Sequence, residues 1–194
     1  MSQVVLIRPG ATDYDEQERV QGVLDLPLSD RGRAEVAVLA GTLAGAELAA
    51  VYHGPGESLQ RTAEAVARTA GLRPKRLDDL RNLDCGLWQG LQTEEIRRRN
   101  PKVFRQWLDD PLTVCPPEGE TVEEALNRLR EVLRPLLRRH RDEAFALVVA
   151  EPLARLVAGF LKRSPRIQLE DTLPTGQCEW ITVPPELLRN GEAG

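Results

Sequence analysis

The sequence predicts an α/β fold, a three-layer α/β/α sandwich built around a mostly parallel central sheet. Three observations carry that prediction. Short, wholly apolar, β-branched runs such as residues 4–7 suit central strands covered on both faces. These runs alternate with stretches whose apolar residues recur at helical spacing, which argues for right-handed β-α-β crossovers. A length of 194 residues suffices for one compact domain with a sizeable core.

The first run, residues 4–7, breaks at Arg8 and the Pro9-Gly10 pair, where Pro fixes φ and Gly accepts a positive φ in a tight turn. Arg8 is thereby delivered to the carboxyl end of a central strand, where open α/β sheets place their ligands. A surface strand cap is the competing reading of Arg8. Residues 19–28 form a loop rich in turn formers. Ser29 then offers an N-cap to a helix with Val36, Ala37, Leu39, Ala40 and Leu43 at helical spacing, ended by Gly45. Residues 48–52 read as a second buried strand, His53-Gly54-Pro55-Gly56 as its loop, and residues 57–71 as an Ala-rich helix closed by Gly71.

Residues 72–119 are less regular, with a short helix near 93–99 and Trp107 followed by a Pro-rich loop. They read as an insertion over one edge of the sheet, lid-like over about residues 80–119. Thr121-Val122-Glu123-Glu124 is a capping box that opens a long helix, with Val122, Ala125, Leu126, Leu129, Val132, Leu133, Leu136 and Leu137 on one face. Residues 145–150 form the next buried strand, again ended by a charge and a proline, Glu151-Pro152. A helix over 153–161 and a strand over 178–183 complete the chain, which reads as a single domain over 1–194.

Composition excludes several classes of function. With 26 basic and 30 acidic residues and a net charge of −4, the chain lacks the basic excess of a nucleic-acid footprint. The basic runs at 97–99 and 138–141 lie near predicted helix C-termini, where cations favour the helix dipole. No stretch reaches membrane-span length, and no signal-peptide pattern opens the chain. Cys85, Cys115 and Cys178 are odd in number and widely spaced, so they read as reduced thiols of a cytoplasmic protein and not as a disulfide frame or metal site. No cofactor is expected. Only two histidines occur, His53 and His140.

A set of spaced motifs covers nearly the whole chain. They are Leu6-Ile7-Arg8-x-Gly10-x-Thr12, then Arg19-x-Gln21-Gly22-x-x-Asp25-x-Pro27-Leu28-x-x-x-Gly32-Arg33. Val51-Tyr52-x-x-Pro55 with Thr62-Ala63-Glu64, Gly86-x-Trp88-x-Gly90 and Pro117-x-Gly119-Glu120-Thr121 follow. In these the sequence resembles the histidine phosphatase superfamily, also called phosphoglycerate mutase-like. The resemblance implies a phosphate pocket of two histidines, two arginines and one acid. The first histidine attacks phosphorus, the arginines and second histidine neutralise the phosphoryl oxygens, and the acid protonates the leaving oxygen.

Position by position, the chain departs from that set. The usual Arg-His-Gly reads Arg8-Pro9-Gly10, and Pro9 has only a tertiary amide nitrogen, with no lone pair to offer phosphorus. The second arginine falls on Ser58, the acid on Asn82 and the second histidine on Glu151. Arg8 alone keeps the family identity. A carboxylate about 4 Å from a phosphate dianion repels it by about one to several kcal/mol, depending on the effective dielectric. Arg8 and Glu151, at neighbouring strand ends, are therefore expected to pair with each other.

Gly10, Thr12, Gln21 and Gly22 are further candidates for the pocket rim. Arg61, on nearly the same helix face as Ser58, is a candidate replacement cation, with a solvated surface charge as its other reading. His53 is a candidate base or nucleophile, or else a hydrogen-bonded loop residue. Glu151 is a candidate carboxylate nucleophile with Asp84 or Glu57 as acid. Cys85 reads as a buried filler, and Trp88 and Trp107 as core or lid packing.

The expectation for function is a catalytically degenerate family member that keeps the scaffold to bind a small ligand or a protein partner. A phosphomonoesterase working through non-standard residues is the alternative. A structural role, with a homodimer formed through the long helix or an edge strand, is a third reading.

Overall fold

The computed structural model describes residues 1–166, 169 and 172–188. Five strands form one sheet: β1 (Gln3–Ile7), β2 (Leu48–His53), β3 (Lys75–Arg76), β4 (Ala144–Val148) and β5 (Cys178–Thr182), in the order β3-β2-β4-β1-β5. β1 and β4 run parallel in the register Ile7 to Val148, β2 is parallel to both β3 and β4, and β5 is the antiparallel edge. The parallel strands are apolar on both faces because each face is covered. Val5, Ile7, Val51, Ala146 and Val148 pack against α2 (Asp30–Thr42) and α3 (Glu57–Thr69). Val4, Leu6, Tyr52, Phe145 and Leu147 pack on the other side with α6 (Val122–Arg139) and α7 (Leu153–Lys162). The result is the three-layer sandwich.

The local signals act as chemistry requires. The Ser29 hydroxyl accepts the Gly32 N–H at 3.1 Å, and the Thr121/Glu124 capping box is formed in both directions. The last turns of α4 (Thr93–Arg99) and α6 carry Arg97–Arg99 and Arg138–Arg139 at the negative end of each helix.

Three elements depart from the sequence reading. A one-turn helix, α1 (Asp13–Glu16), follows the first strand, capped by Thr12. The stretch expected to run from Trp107 into a loop holds α5 (Pro101–Asp109), which buries Phe104 and Trp107. Two residues inside the insertion, Lys75 and Arg76, add to the sheet as β3. Two-residue strands and one-turn helices are too short to show a period in sequence.

Gly10 also differs from expectation. It is not at positive φ. It is small because a Cβ there would strike the Gly32 carbonyl oxygen and Val36 of α2, and a Cβ on Gly32 would strike Ala11 backbone in return. The two glycines let the first turn of α2 dock directly on the end of β1.

Candidate functional site

Because β1 and β4 are parallel neighbours, Arg8-Pro9 and Ala150-Glu151-Pro152 emerge side by side at the same edge of the sheet. Between them opens a cavity of about 360 Å³. Its other walls come from residues 19–22 and from the inserted region, which contributes Cys85, Trp88, Ile96, Phe104, Trp107 and Leu108. The two walls are stitched together by backbone. Val20 N–H bonds Leu91 O at 2.9 Å, Gly90 N–H bonds Val20 O at 2.8 Å, and the Gln89 side chain accepts from Val23 N–H at 2.7 Å. Trp88 and Trp107 meet edge to face at 5.5 Å, setting an aromatic floor.

Among the described residues four charged side chains line the cavity: Arg8, Arg19, Asp15 and Glu151. The expected Arg8–Glu151 ion pair does not form. Arg8 Nη2 instead donates to Asp15 Oδ1 at 2.8 Å and Nη1 to the Leu173 carbonyl at 2.7 Å. Asp15 wins because its position is fixed in advance: Oδ2 accepts both the Thr12 N–H and hydroxyl, each at 2.8 Å, in the capping box of α1. The arginine and its acid are largely buried, 18% and 19% exposed. Asp15 is the pocket residue that sequence reasoning missed. Its signal was present, since Thr12-x-x-Asp15 fits the pattern of a capping box.

Glu151 is hydrogen-bonded at only one of its two oxygens among the described residues. Its Oε1 accepts the Leu173 N–H at 3.3 Å, while Oε2 is buried with no hydrogen-bond partner among the described residues. Burial pushes its carboxyl above the usual range, against the opposing pull of Arg8, the Leu173 amide and Arg155. Arg19 reaches the Gly90 carbonyl at 2.6 Å and Gln17 at 2.8 Å. Among the described residues the cavity wall thus carries two cations and two acids.

The remaining sequence candidates have structural employment. Asn82 donates to the carbonyls of Gly22 and Glu151 at 2.9 and 2.7 Å and accepts Leu153 N–H at 3.2 Å, tying both walls to the start of α7. Ser58 is buried at 1% exposure in α3, its hydroxyl without a partner among the described residues, and it does not line the cavity. Thr12 caps α1, and Gly10 packs on α2 with its N–H 3.3 Å from the Thr62 hydroxyl. Gln21 and Gly22 do line the cavity.

The proposed replacements are not brought there. Arg61 is 60% exposed and sits between Glu57 and Glu64, because its side chain leaves the outer face of α3. His53 is buried at 4% exposure with Nδ1 2.7 Å from the Gly54 carbonyl, and burial holds its pKa below the ordinary value. Asp84 is engaged by Gly86 N–H at 2.9 Å and Glu57 lies beside Arg61, so neither lines the cavity as an acid for Glu151. The other histidine, His140, bridges Tyr52 and Glu143 in the core. Neither histidine of the chain lines the cavity. Cys85 is buried, its thiol pushed up to about 12 by burial and by Asp84 and Glu120. Among the described residues no three His, Cys, Asp or Glu side chains are grouped to hold a metal, and no helix is long and apolar enough to cross a membrane.

The family model described as histidine phosphatase superfamily (branch 1) matches residues 4–182. The chain belongs to the histidine phosphatase superfamily. It is 29% identical over 148 residues to phosphoserine phosphatase 1 of Hydrogenobacter thermophilus, covering 76% of this chain and 70% of that one. Against several mycobacterial relatives, 35% identical over 130 residues, it spans only 35% of their length. Among solved structures, Bacillus stearothermophilus YhfR superposes with a TM-score of 0.82 at 26% identity, covering 95% of this chain and 92% of that one. A mycobacterial glucosyl-3-phosphoglycerate phosphatase solved with VO3 superposes with a TM-score of 0.81 at 25% identity, over 92% and 90%. The α/β sandwich is therefore common to this chain and to structures named as phosphatases.

Proposed function

We propose that this chain is a catalytically degenerate histidine phosphatase, a pseudoenzyme that keeps the family pocket to bind a ligand and no longer transfers phosphoryl groups. The observation that carries the reading is a cavity that neither histidine of the chain lines, with Pro9 standing where the resemblance puts the nucleophile. The charges support it. Arg8 is engaged by Asp15, and the place of the second histidine holds a carboxylate, which repels a phosphate dianion. The acid that would protonate a leaving oxygen is replaced by Asn82, whose amide is bound to backbone. In this reading the wall from about 80 to 119 is the ligand-covering segment, and the three free thiols suit a reducing compartment, the cytoplasm.

Hydrolysis of 4-nitrophenyl phosphate from about pH 4 to 9, beside a Glu151→Ala variant, tests the reading. The expected result is no turnover above a buffer blank for either protein. Turnover abolished by Glu151→Ala would establish a phosphomonoesterase that runs through that carboxylate. Turnover that survives the substitution would also contradict the proposal.

A further inference from the structure

The cavity of about 360 Å³ does not show the cationic excess of an anion site among the described residues. Among its lining groups, the Arg8 charge is matched by Asp15, with a carbonyl on the second nitrogen. Arg19 is turned onto a carbonyl and an amide oxygen. The group left without a hydrogen-bond partner among the described residues is an acceptor, Glu151 Oε2, buried beside the ends of β1 and β4 on a carboxyl that also feels the charges of Arg8 and Arg155. A buried acceptor left unmatched is costly, and a ligand N–H placed there would satisfy it. Facing it are apolar and aromatic side chains, Val20, Trp88, Ile96, Phe104, Trp107 and Leu108. The indole rings add faces that attract a cation.

Building on the proposed loss of phosphoryl transfer, we infer that the pocket takes an organic amine. Its ammonium would donate to Glu151 Oε2 and its apolar, aryl-sized body would fill the space against Trp88 and Trp107. A volume of about 360 Å³ admits a small arylalkylamine. The carboxylate selects for charge, and the aromatic wall selects for an apolar body over a hydrated inorganic cation. The Asn82 amide, which donates to the Glu151 carbonyl at 2.7 Å, holds the backbone from which that carboxylate projects.

Three isosteres separate the outcomes: 2-phenylethylamine, 2-phenylethanol and 2-phenylethyl phosphate, each titrated calorimetrically at pH 7.5 into the wild-type chain and Glu151→Gln. The amine is expected to bind at least about tenfold more tightly than the alcohol, as one charge-assisted hydrogen bond provides. Glu151→Gln is expected to remove that preference, with alcohol binding little changed. Equal affinity for amine and alcohol, or no binding of either, overturns the amine assignment and leaves the loss of phosphoryl transfer standing. An amine preference that survives Glu151→Gln also overturns it, since the carboxylate would then not be the reader. Tightest binding of the phosphate ester overturns the amine assignment and the argument that the pocket repels a phosphoryl group; its hydrolysis overturns the loss of phosphoryl transfer as well.

Discussion

Burial raises the proton affinity of the Glu151 carboxyl, and the direction of that shift fixes its effect on stability. The unfolded chain releases the proton near the ordinary value of 4.5, whereas the folded chain holds it to higher pH. Between those values the folded state binds more protons, so stability falls as pH rises, and the deficit is complete above the folded value. Glu151→Gln is therefore expected to raise the melting temperature at pH 7 and to change it little at pH 4; a gain confined to pH 4 would reverse the assignment. His53 acts in the opposite sense. Its folded value lies below the ordinary 6.5, so its contribution is present above 6.5 and lost as pH falls below it. A ring titration by NMR should give a value under 6.5 in the folded protein. Thiol labelling checks the third titrating group: at pH 8, exposed Cys115 is expected to react first and Cys85, held at about 12, last.

The one-turn helix α1 carries more of the site than its length suggests. It presents Asp15 to Arg8 while Thr12 holds Asp15 in place, so three residues form one unit. Asp15→Asn leaves the largely buried Arg8 guanidinium without its carboxylate and is expected to cost about 1–3 kcal/mol in denaturant unfolding. That cost without any gain of phosphatase activity is the signature of a structural arginine. Gly32→Ala tests the seat of α2 on β1; backbone on backbone cannot yield cheaply, and a loss of about 1–3 kcal/mol is expected. The long periodic and β-branched segments were legible in sequence because burial on both faces leaves an unbroken apolar run and helix caps leave their own residue pattern, as at residues 145–150 and Thr121-Glu124. What escaped was short or relational. α5 shows a helical stripe only over its nine residues, β3 only two residues, and the partner of Arg8 depended on which acid a cap had already fixed. Sequence could place Arg8 and Glu151 at neighbouring strand ends. It could not rank Asp15 against Glu151 as partner, because that choice is settled by a turn of helix and not by proximity in the sheet.

Taken together, the parallel pair β1 and β4 delivers residues to the same end of the sheet in a sandwich shared with structures named as phosphatases, and in the proposed reading the delivered side chains differ from the reacting set that the resemblance implies. On that reading fold and function separate there. The most direct measurement is the effect of orthovanadate, a phosphoryl mimic, on the melting temperature of the ligand-free chain. A ligand at a hundred times its dissociation constant stabilises a fold by about 2.7 kcal/mol, a shift of several degrees. No shift is expected up to millimolar orthovanadate if the pocket has lost phosphoryl binding. A saturable rise, lost when Arg8 is replaced by Ala, would show a working phosphoryl pocket and contradict that loss.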